Sequence, residues 1–217
     1  MKNIIKTSIG KKIIMATSAI FLMIFLLQHF IINATSIFSI NLFNSISHFM
    51  GTNPMVQFVL QPILLFGVIL HFIMGFILEY QNNSARKYKY YKNIPNASWM
   101  SQNMILSGAM ILLFLIIHFI DFWIPEIQYK YIDIVSEDPN RYFEELKHKF
   151  ENPIRVGFYC FSFILLALHL NHGFTSSLKS LGLKNNYINS FKILGKIYSI
   201  GIPIGFCIIA IYHFFNL

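Results

Sequence analysis

Four histidines lie inside long apolar segments of this sequence. They are His29 in FLLQHFIIN, His71 in LHFIMG, His118 in IHFID and His169 in LHLNHG. A histidine within a membrane span costs free energy and usually faces neighbouring helices, where it can hydrogen-bond, relay protons or bind a metal. One such residue is most simply a hydrogen-bonding group, but four of them on four segments indicate a site.

The composition predicts an all-α integral membrane protein. Of 217 residues, 55% are hydrophobic and 12% are charged, and the mean hydropathy is +0.56. Five segments are long and apolar enough to cross a bilayer, and we place them at about 13–33, 57–80, 100–123, 153–177 and 193–215. We expect one transmembrane domain, residues 1–217, without an internal repeat.

The charges predict a cytoplasmic N-terminus. Basic residues cluster before the first span, between the second and third spans, and around the fourth-to-fifth connection, whereas eight of the nine acidic residues lie in or beside the third-to-fourth connection. By the positive-inside rule, the basic segments face the cytoplasm. The net charge of +8 is therefore explained by orientation in a bilayer, and it does not indicate that the protein binds nucleic acid.

Depth along the spans sorts the four histidines into two pairs. His29 and His118 lie about six residues past the midpoints of outward-running spans, roughly 9 Å toward the outer face. His71 and His169 lie about three residues past the midpoints of inward-running spans, roughly 4–5 Å toward the inner face. We call His29 and His118 the outer pair and His71 and His169 the inner pair, separated by roughly 14 Å.

Two imidazoles at one depth on different helices are suited to hold a haem iron from both sides. Gly67 and Gly75 stand four residues before and after His71, and Gly173 stands four after His169, so each glycine shares a helical face with a histidine. Small residues there would leave room for a flat macrocycle. They would also let two helices pack closely, and both interpretations stay open.

Two cations are candidates for the anionic propionates of such haems. Arg155 begins the fourth span at its outer end, and Lys179 follows that span at its inner end. Each is also explained as an interfacial cation that extends its head group toward water.

Five motifs, taken in order, resemble a known family. LQHFIIN (27–33), SHFM (47–50), LHFIMG (70–75), IHFID (117–121) and LHLNHGFTSSLKSLG (168–182) are similar to the di-haem cytochrome b subunit that anchors succinate:quinone oxidoreductases. These complexes are the succinate dehydrogenases and the quinol:fumarate reductases. Each motif is short, but the ordered set covers nearly the whole chain.

The resemblance implies a role and a set of partners. The matching histidines, His29 with His118 and His71 with His169, would be the axial ligands of two haems b in a haem-binding helix bundle. The subunit would work with an FAD flavoprotein and an iron–sulfur protein on the cytoplasmic side of a bacterial cytoplasmic membrane. Electrons would pass to or from a quinone, usually menaquinone, near the outer face, and the whole complex would be expected to dimerise.

The chain departs from the family pattern at two places. Some quinol:fumarate reductases carry a glutamate two residues before the fourth ligand, where this chain has Ala167. Some members also place an acidic residue in the first-to-second connection, which here has none. A carboxylate-based proton path is therefore not predicted, and proton exchange with quinone would need His48, water or another group. A solvated loop histidine is an equal interpretation of His48.

Three other interpretations remain. His172 lies three residues after His169 and competes with it as a ligand, although the motif match favours His169. Anchors of hydrogenases or formate dehydrogenases also hold two haems, but they distribute histidines differently. A haem-free histidine-bearing transporter or proton channel would explain histidines in the membrane, but it does not predict level pairs.

Overall fold

The computed structural model describes residues 7–85 and 104–216, and within these ranges five helices are long and apolar enough to cross a membrane. The helices in chain order are α1 (Ser8–Phe38), α2 (Ile40–Thr52), α3 (Gln61–Ala85), α4 (Met104–His118), α5 (Ile124–Ile127), α6 (Arg141–Phe150), α7 (Pro153–Ser180) and α8 (Asn185–Phe215). Three π-helical turns join some of them: Val56–Leu60 before α3, Phe119–Trp123 between α4 and α5, and Gln128–Ile132 after α5.

The five predicted spans correspond to α1, α3, α4 with its continuation, α7 and α8. The membrane-spanning helices are longer than predicted, since α1 has 31 residues, or about 46 Å of helix, against about 30 Å for the hydrocarbon core. Residues 100–103 of the third predicted span lie outside the described residues. So do Lys2, Lys6 and the basic residues of 86–92, on which the predicted orientation rests.

The first-to-second connection is the main departure from the sequence prediction. We expected a loop around His48, but the segment forms α2. Ser39 ends α1 and caps α2, because its side chain accepts a hydrogen bond from the Leu42 N–H at 3.3 Å. A polar capping residue between two apolar runs lets the chain turn without leaving helix ends unpaired.

Side-chain caps also begin α1 and α7. Thr7 accepts from the Gly10 N–H at 3.0 Å, and Asn152 accepts from the N–H groups of Ile154 and Arg155 at 2.9 and 3.2 Å. Pro153 occupies the first position of α7, where its missing N–H costs nothing. These caps set the starting points of two helices that carry histidines.

Four helices close a ring, and the fifth lies against it. α1 packs against α3 and α7, and α4 packs against the same two helices, so the order around the ring is α1, α3, α4, α7. α8 packs along α7 and α1. The two helices that carry the histidines of one pair therefore lie diagonally opposite each other: α1 faces α4, and α3 faces α7.

The distribution of polarity is that of a protein in lipid. Large apolar side chains point outward on every spanning helix, among them Ile24, Phe66, Ile116, Ile164 and Ile208. The buried set contains polar residues, including Ser18, Ser107, Asp121 and His213. Since lipid tails are as apolar as these outward side chains, close packing and hydrogen bonds between helices hold such a bundle together.

Candidate functional site

In the structure, the four histidines form the two pairs that were predicted from their depths in the spans. The rings of His29 and His118 have centroids 5.9 Å apart and planes at 87°. The rings of His71 and His169 have centroids 6.3 Å apart and planes at 70°. Each pair joins two diagonal helices of the ring, so both pairs lie in its interior, one at each level.

Both separations suit a metal held between the two rings. An imidazole nitrogen lies about 1 Å from its ring centroid and binds a transition metal at about 2 Å, so two rings on opposite sides of one metal have centroids about 6 Å apart. A haem iron takes four nitrogens from its macrocycle and needs two axial ligands, which is the number each level supplies. Within the described residues, no group of three or more His, Cys, Asp or Glu side chains could hold a bare ion.

Serines hydrogen-bond both rings of the inner pair. Ser18 Oγ on α1 lies 3.1 Å from His71 Nδ1, and Ser107 Oγ on α4 lies 3.2 Å from His169 Nδ1. Each bond links a histidine to the helix beside its own in the ring. Both serines are buried, at 5% and 6% exposure.

The outer pair is held differently. A phenylalanine one turn earlier stacks on each ring: Phe25 on His29 and Phe114 on His118, both with centroids 5.6 Å apart. The Asn33 amide lies 3.4 Å from His29 Nε2, at the long limit of a hydrogen bond, while it also donates to the His29 carbonyl at 2.8 Å. His118 Nδ1 is buried and has no hydrogen-bond partner among the described residues.

The three glycines near the inner pair each face a side chain from a neighbouring helix. A Cβ added to Gly67 would lie 2.7 Å from the Phe21 ring, so this glycine permits α1 and α3 to approach closely. A Cβ at Gly75 would lie 3.8 Å from Met15 Cε, and one at Gly173 would lie 3.9 Å from Met104 Cε, both ordinary contacts. At Gly67 the contact matches the helix-packing interpretation.

Arg155, whose side chain is 35% exposed, contacts the buried Asp121, which also bonds the buried Tyr159 beside the outer pair. Arg155 Nε lies 3.2 Å from Asp121 Oδ2, and the Tyr159 hydroxyl donates to the same oxygen at 2.9 Å. Asp121 is 4% exposed, and the Tyr159 ring lies 6.3 Å from the His118 ring. Arg155 is therefore already paired with a carboxylate, whereas Lys179, the other cation predicted for a propionate, is exposed at the end of α7.

His172 and His213 take different positions from the two pairs. His172 is half-buried, and the α7 ring that meets His71 belongs to His169. His213 on α8 is 1% exposed and hydrogen-bonds Ser36 Oγ at 2.8 Å through Nε2. Its burial is explained by that partner on α1.

His48 on α2 meets residues of the third-to-fourth connection. Its Nε2 lies 4.0 Å from a carboxylate oxygen of Glu137, and its ring centroid lies 6.2 Å from that of Tyr142. Burial, together with the Glu126 carboxylate, raises the pKa of the Tyr142 hydroxyl to about 12, so this group stays protonated and can donate. The first-to-second connection has no acid of its own, but folding brings one to His48.

Sequence reasoning missed Ser18 and Ser107, although a repeated pattern marks them. MATSAIFLMIFLLQH (Met15–His29) and MILSGAMILLFLIIH (Met104–His118) share Met, Ser, Phe and His at the same spacing, M-x2-S-x6-F-x3-H. The partner helices share L-H-x3-G, at 70–75 and 168–173. These shared motifs are too sparse to stand out among apolar residues, and the sequence alone predicted one domain without an internal repeat.

Comparison with protein-family models, with curated proteins and with solved structures finds no match to this chain.

Proposed function

We propose that this chain is the di-haem cytochrome b membrane anchor of a succinate:quinone oxidoreductase in a bacterial cytoplasmic membrane. It carries electrons between an iron–sulfur subunit and menaquinone. An FAD flavoprotein, docked with the iron–sulfur subunit on the cytoplasmic side, acts on succinate or fumarate. The N-terminus faces the cytoplasm, and the complex forms a dimer.

One observation carries the proposal: two histidine pairs lie at two levels of one bundle. The ring centroids within each pair are 5.9 and 6.3 Å apart, close to the separation of two imidazoles that bind one metal from opposite sides. His29 and His118 hold the outer haem, and His71 and His169 hold the inner one. Bound haem supplies one-electron transfer at each level. A transporter or proton channel does not require its histidines to meet as opposed pairs.

The remaining side chains fit this role as supports. Ser18 and Ser107 hold the inner rings, while Phe25 and Phe114 stack on the outer rings and exclude water from them. At the outer end, His48 with Glu137 at 4.0 Å is the candidate for exchanging a proton with quinone.

The test is a dithionite-reduced minus air-oxidised spectrum of the purified chain, with haem and protein quantified together. We expect two haems b per chain. His148→Ala is the matched control, since this α6 histidine is 78% exposed and pairs only with Glu151 among the contacts described, so it should keep both haems. No haem in a folded preparation made with adequate haem supply would overturn the proposal and favour the haem-free transporter or proton channel.

A further inference from the structure

The repeated motif relates two halves of the ring by an approximate two-fold axis. The hairpin α1–α3 carries the motif M-x2-S-x6-F-x3-H and then L-H-x3-G, and the hairpin α4–α7 carries both again in the same order. In a ring ordered α1, α3, α4, α7, a two-fold axis along the bundle exchanges α1 with α4 and α3 with α7. Equivalent residues then face each other across the axis at one depth, which is why the histidines form level pairs.

The same relation makes Ser18 and Ser107 equivalent. Each serine precedes the outer histidine of its own helix by eleven residues, which is about three helical turns, so serine and histidine share a face. Eleven residues span about 16 Å of helix, close to the separation expected between the two levels. One helix thus supplies an outer histidine and, three turns away, a serine at the level of the inner pair.

The serine hydrogen bonds have a defined direction. Ser18 Oγ donates to the Met15 carbonyl at 2.9 Å, and Ser107 Oγ donates to the Met104 carbonyl at 2.9 Å. A hydroxyl has one proton, so an Oγ that gives it to a carbonyl can only accept from the imidazole. This arrangement favours the tautomer that carries its proton on Nδ1 and leaves the lone pair of Nε2 free.

This choice of tautomer matters for metal binding. A metal-bound histidine almost always donates its other ring N–H to a neighbouring acceptor, which fixes the ring orientation and raises its strength as a ligand. The inner rings have such acceptors on adjacent helices. At the outer level, His118 Nδ1 has no partner among the described residues, and the helix beside it presents Tyr159.

We propose that Ser18 and Ser107 are positioning residues of the inner haem site, which hold His71 and His169 in the tautomer whose Nε2 binds iron. This inference rests on the proposed function. It concerns one level only, so its consequences are confined to the inner haem.

The test compares Ser18→Ala and Ser107→Ala with the unchanged chain by potentiometric titration and by the ferric low-spin electron paramagnetic resonance signal of each haem. Loss of an acceptor makes the ring a weaker donor to iron, so the midpoint potential of the inner haem rises and its ferric signal moves. Retention of the inner haem falls about 10- to 100-fold, as for other outer-shell ligand partners of metals. The outer haem keeps its potential and its signal.

Two variants separate positioning from simple packing. Ser162→Ala is the matched control, because this buried α7 serine donates to the Phe158 carbonyl of its own helix, and it should shift neither haem. Ser18→Thr and Ser107→Thr keep the hydroxyl, so they restore the inner signal that the alanine variants lose. If the alanine variants do not retain the inner haem at all, recovery by threonine still supports the proposal.

The outcomes are distinct for the two proposals. An unchanged chain without haem rejects the proposed function itself. Two haems in the unchanged chain, with both potentials unmoved in Ser18→Ala and Ser107→Ala or with the outer haem moved equally, reject the positioning role alone. Failure of threonine to recover a signal lost in alanine also rejects it.

Discussion

The inner and outer histidine pairs come from the same repeated motif but are held by different forces. Serine hydroxyls from adjacent helices bond the inner rings, whereas stacked phenylalanines hold the outer rings beside the ion pair of Arg155 with the buried Asp121. The reason lies in α3 and α7, the helices that carry the inner histidines and return across the bundle. Eleven residues before His71 and His169 are Leu60 and Phe158, so the returning helices offer no hydroxyl at the equivalent position. Hydrogen bonds orient one pair and packing orients the other.

The largest expected effect separates the two levels completely. Under the proposed function, His71→Ala or His169→Ala should remove the inner haem and leave the outer one, and His29→Ala or His118→Ala should do the reverse, because each haem would lose one of two axial ligands. Haem-to-protein ratio and redox titration of each variant measure this. Two variants of one pair that lost opposite haems would refute the pairing. If His169 rather than His172 is the ligand on α7, the His172→Ala chain should retain both haems.

A second prediction concerns the ion pair between Asp121 and Arg155 beside the outer level. Asp121→Asn leaves Arg155 without its charged partner and weakens the Tyr159 bond, so the free energy of unfolding should fall by about 2–3 kcal/mol. Thermal unfolding in detergent measures the loss. Glu145→Gln is the control, since the Glu145 side chain is 48% exposed and Arg141 keeps a second carboxylate partner in Glu126, so the loss should be about 1 kcal/mol or less. Equal effects would show that burial of Asp121 contributes little.

A third prediction concerns Gly67, which lies one turn before His71 on α3. Gly67→Ala places a methyl group 2.7 Å from the Phe21 ring and should destabilise the fold by about 1–3 kcal/mol, despite the better helix propensity of alanine. Adding Phe21→Leu to the same chain should recover most of that loss. Gly173→Ala, where the nearest atom is 3.9 Å away, serves as the comparison in the same unfolding assay. A Gly67→Ala chain as stable as the original would mean that the helices separate at little cost.

The smallest expected effect tests the weak contact of the outer pair. Asn33→Leu removes an amide that lies 3.4 Å from His29 Nε2 and donates to the His29 carbonyl at 2.8 Å, so stability should change by about 1 kcal/mol or less. The midpoint potential of the outer haem should stay within error of the unchanged chain. A shift as large as that expected for Ser18→Ala would show that hydrogen bonds orient both levels, and the contrast between them would fail.

Periodicity and charge were enough for the architecture but not for its details. Five long apolar runs predict five spans because a bilayer admits few other structures. The helix at α2 was missed because its polar and apolar residues resemble a loop when no partner surface is known. Its Asn44 side chain accepts from the Phe143 N–H at 2.8 Å and donates to the Asn140 carbonyl at 3.0 Å, contacts with the distant third-to-fourth connection that local sequence does not reveal.

The sequence by itself determined the two levels of histidines, because the rise of a helix and the alternating direction of spans convert residue number into depth. Only the tertiary structure decided what surrounds each level. The partner of a ring comes from another helix, 53 residues away for Ser18 and His71 and 62 for Ser107 and His169. The rotation of each helix about its axis selects that partner, and packing of the whole ring sets the rotation.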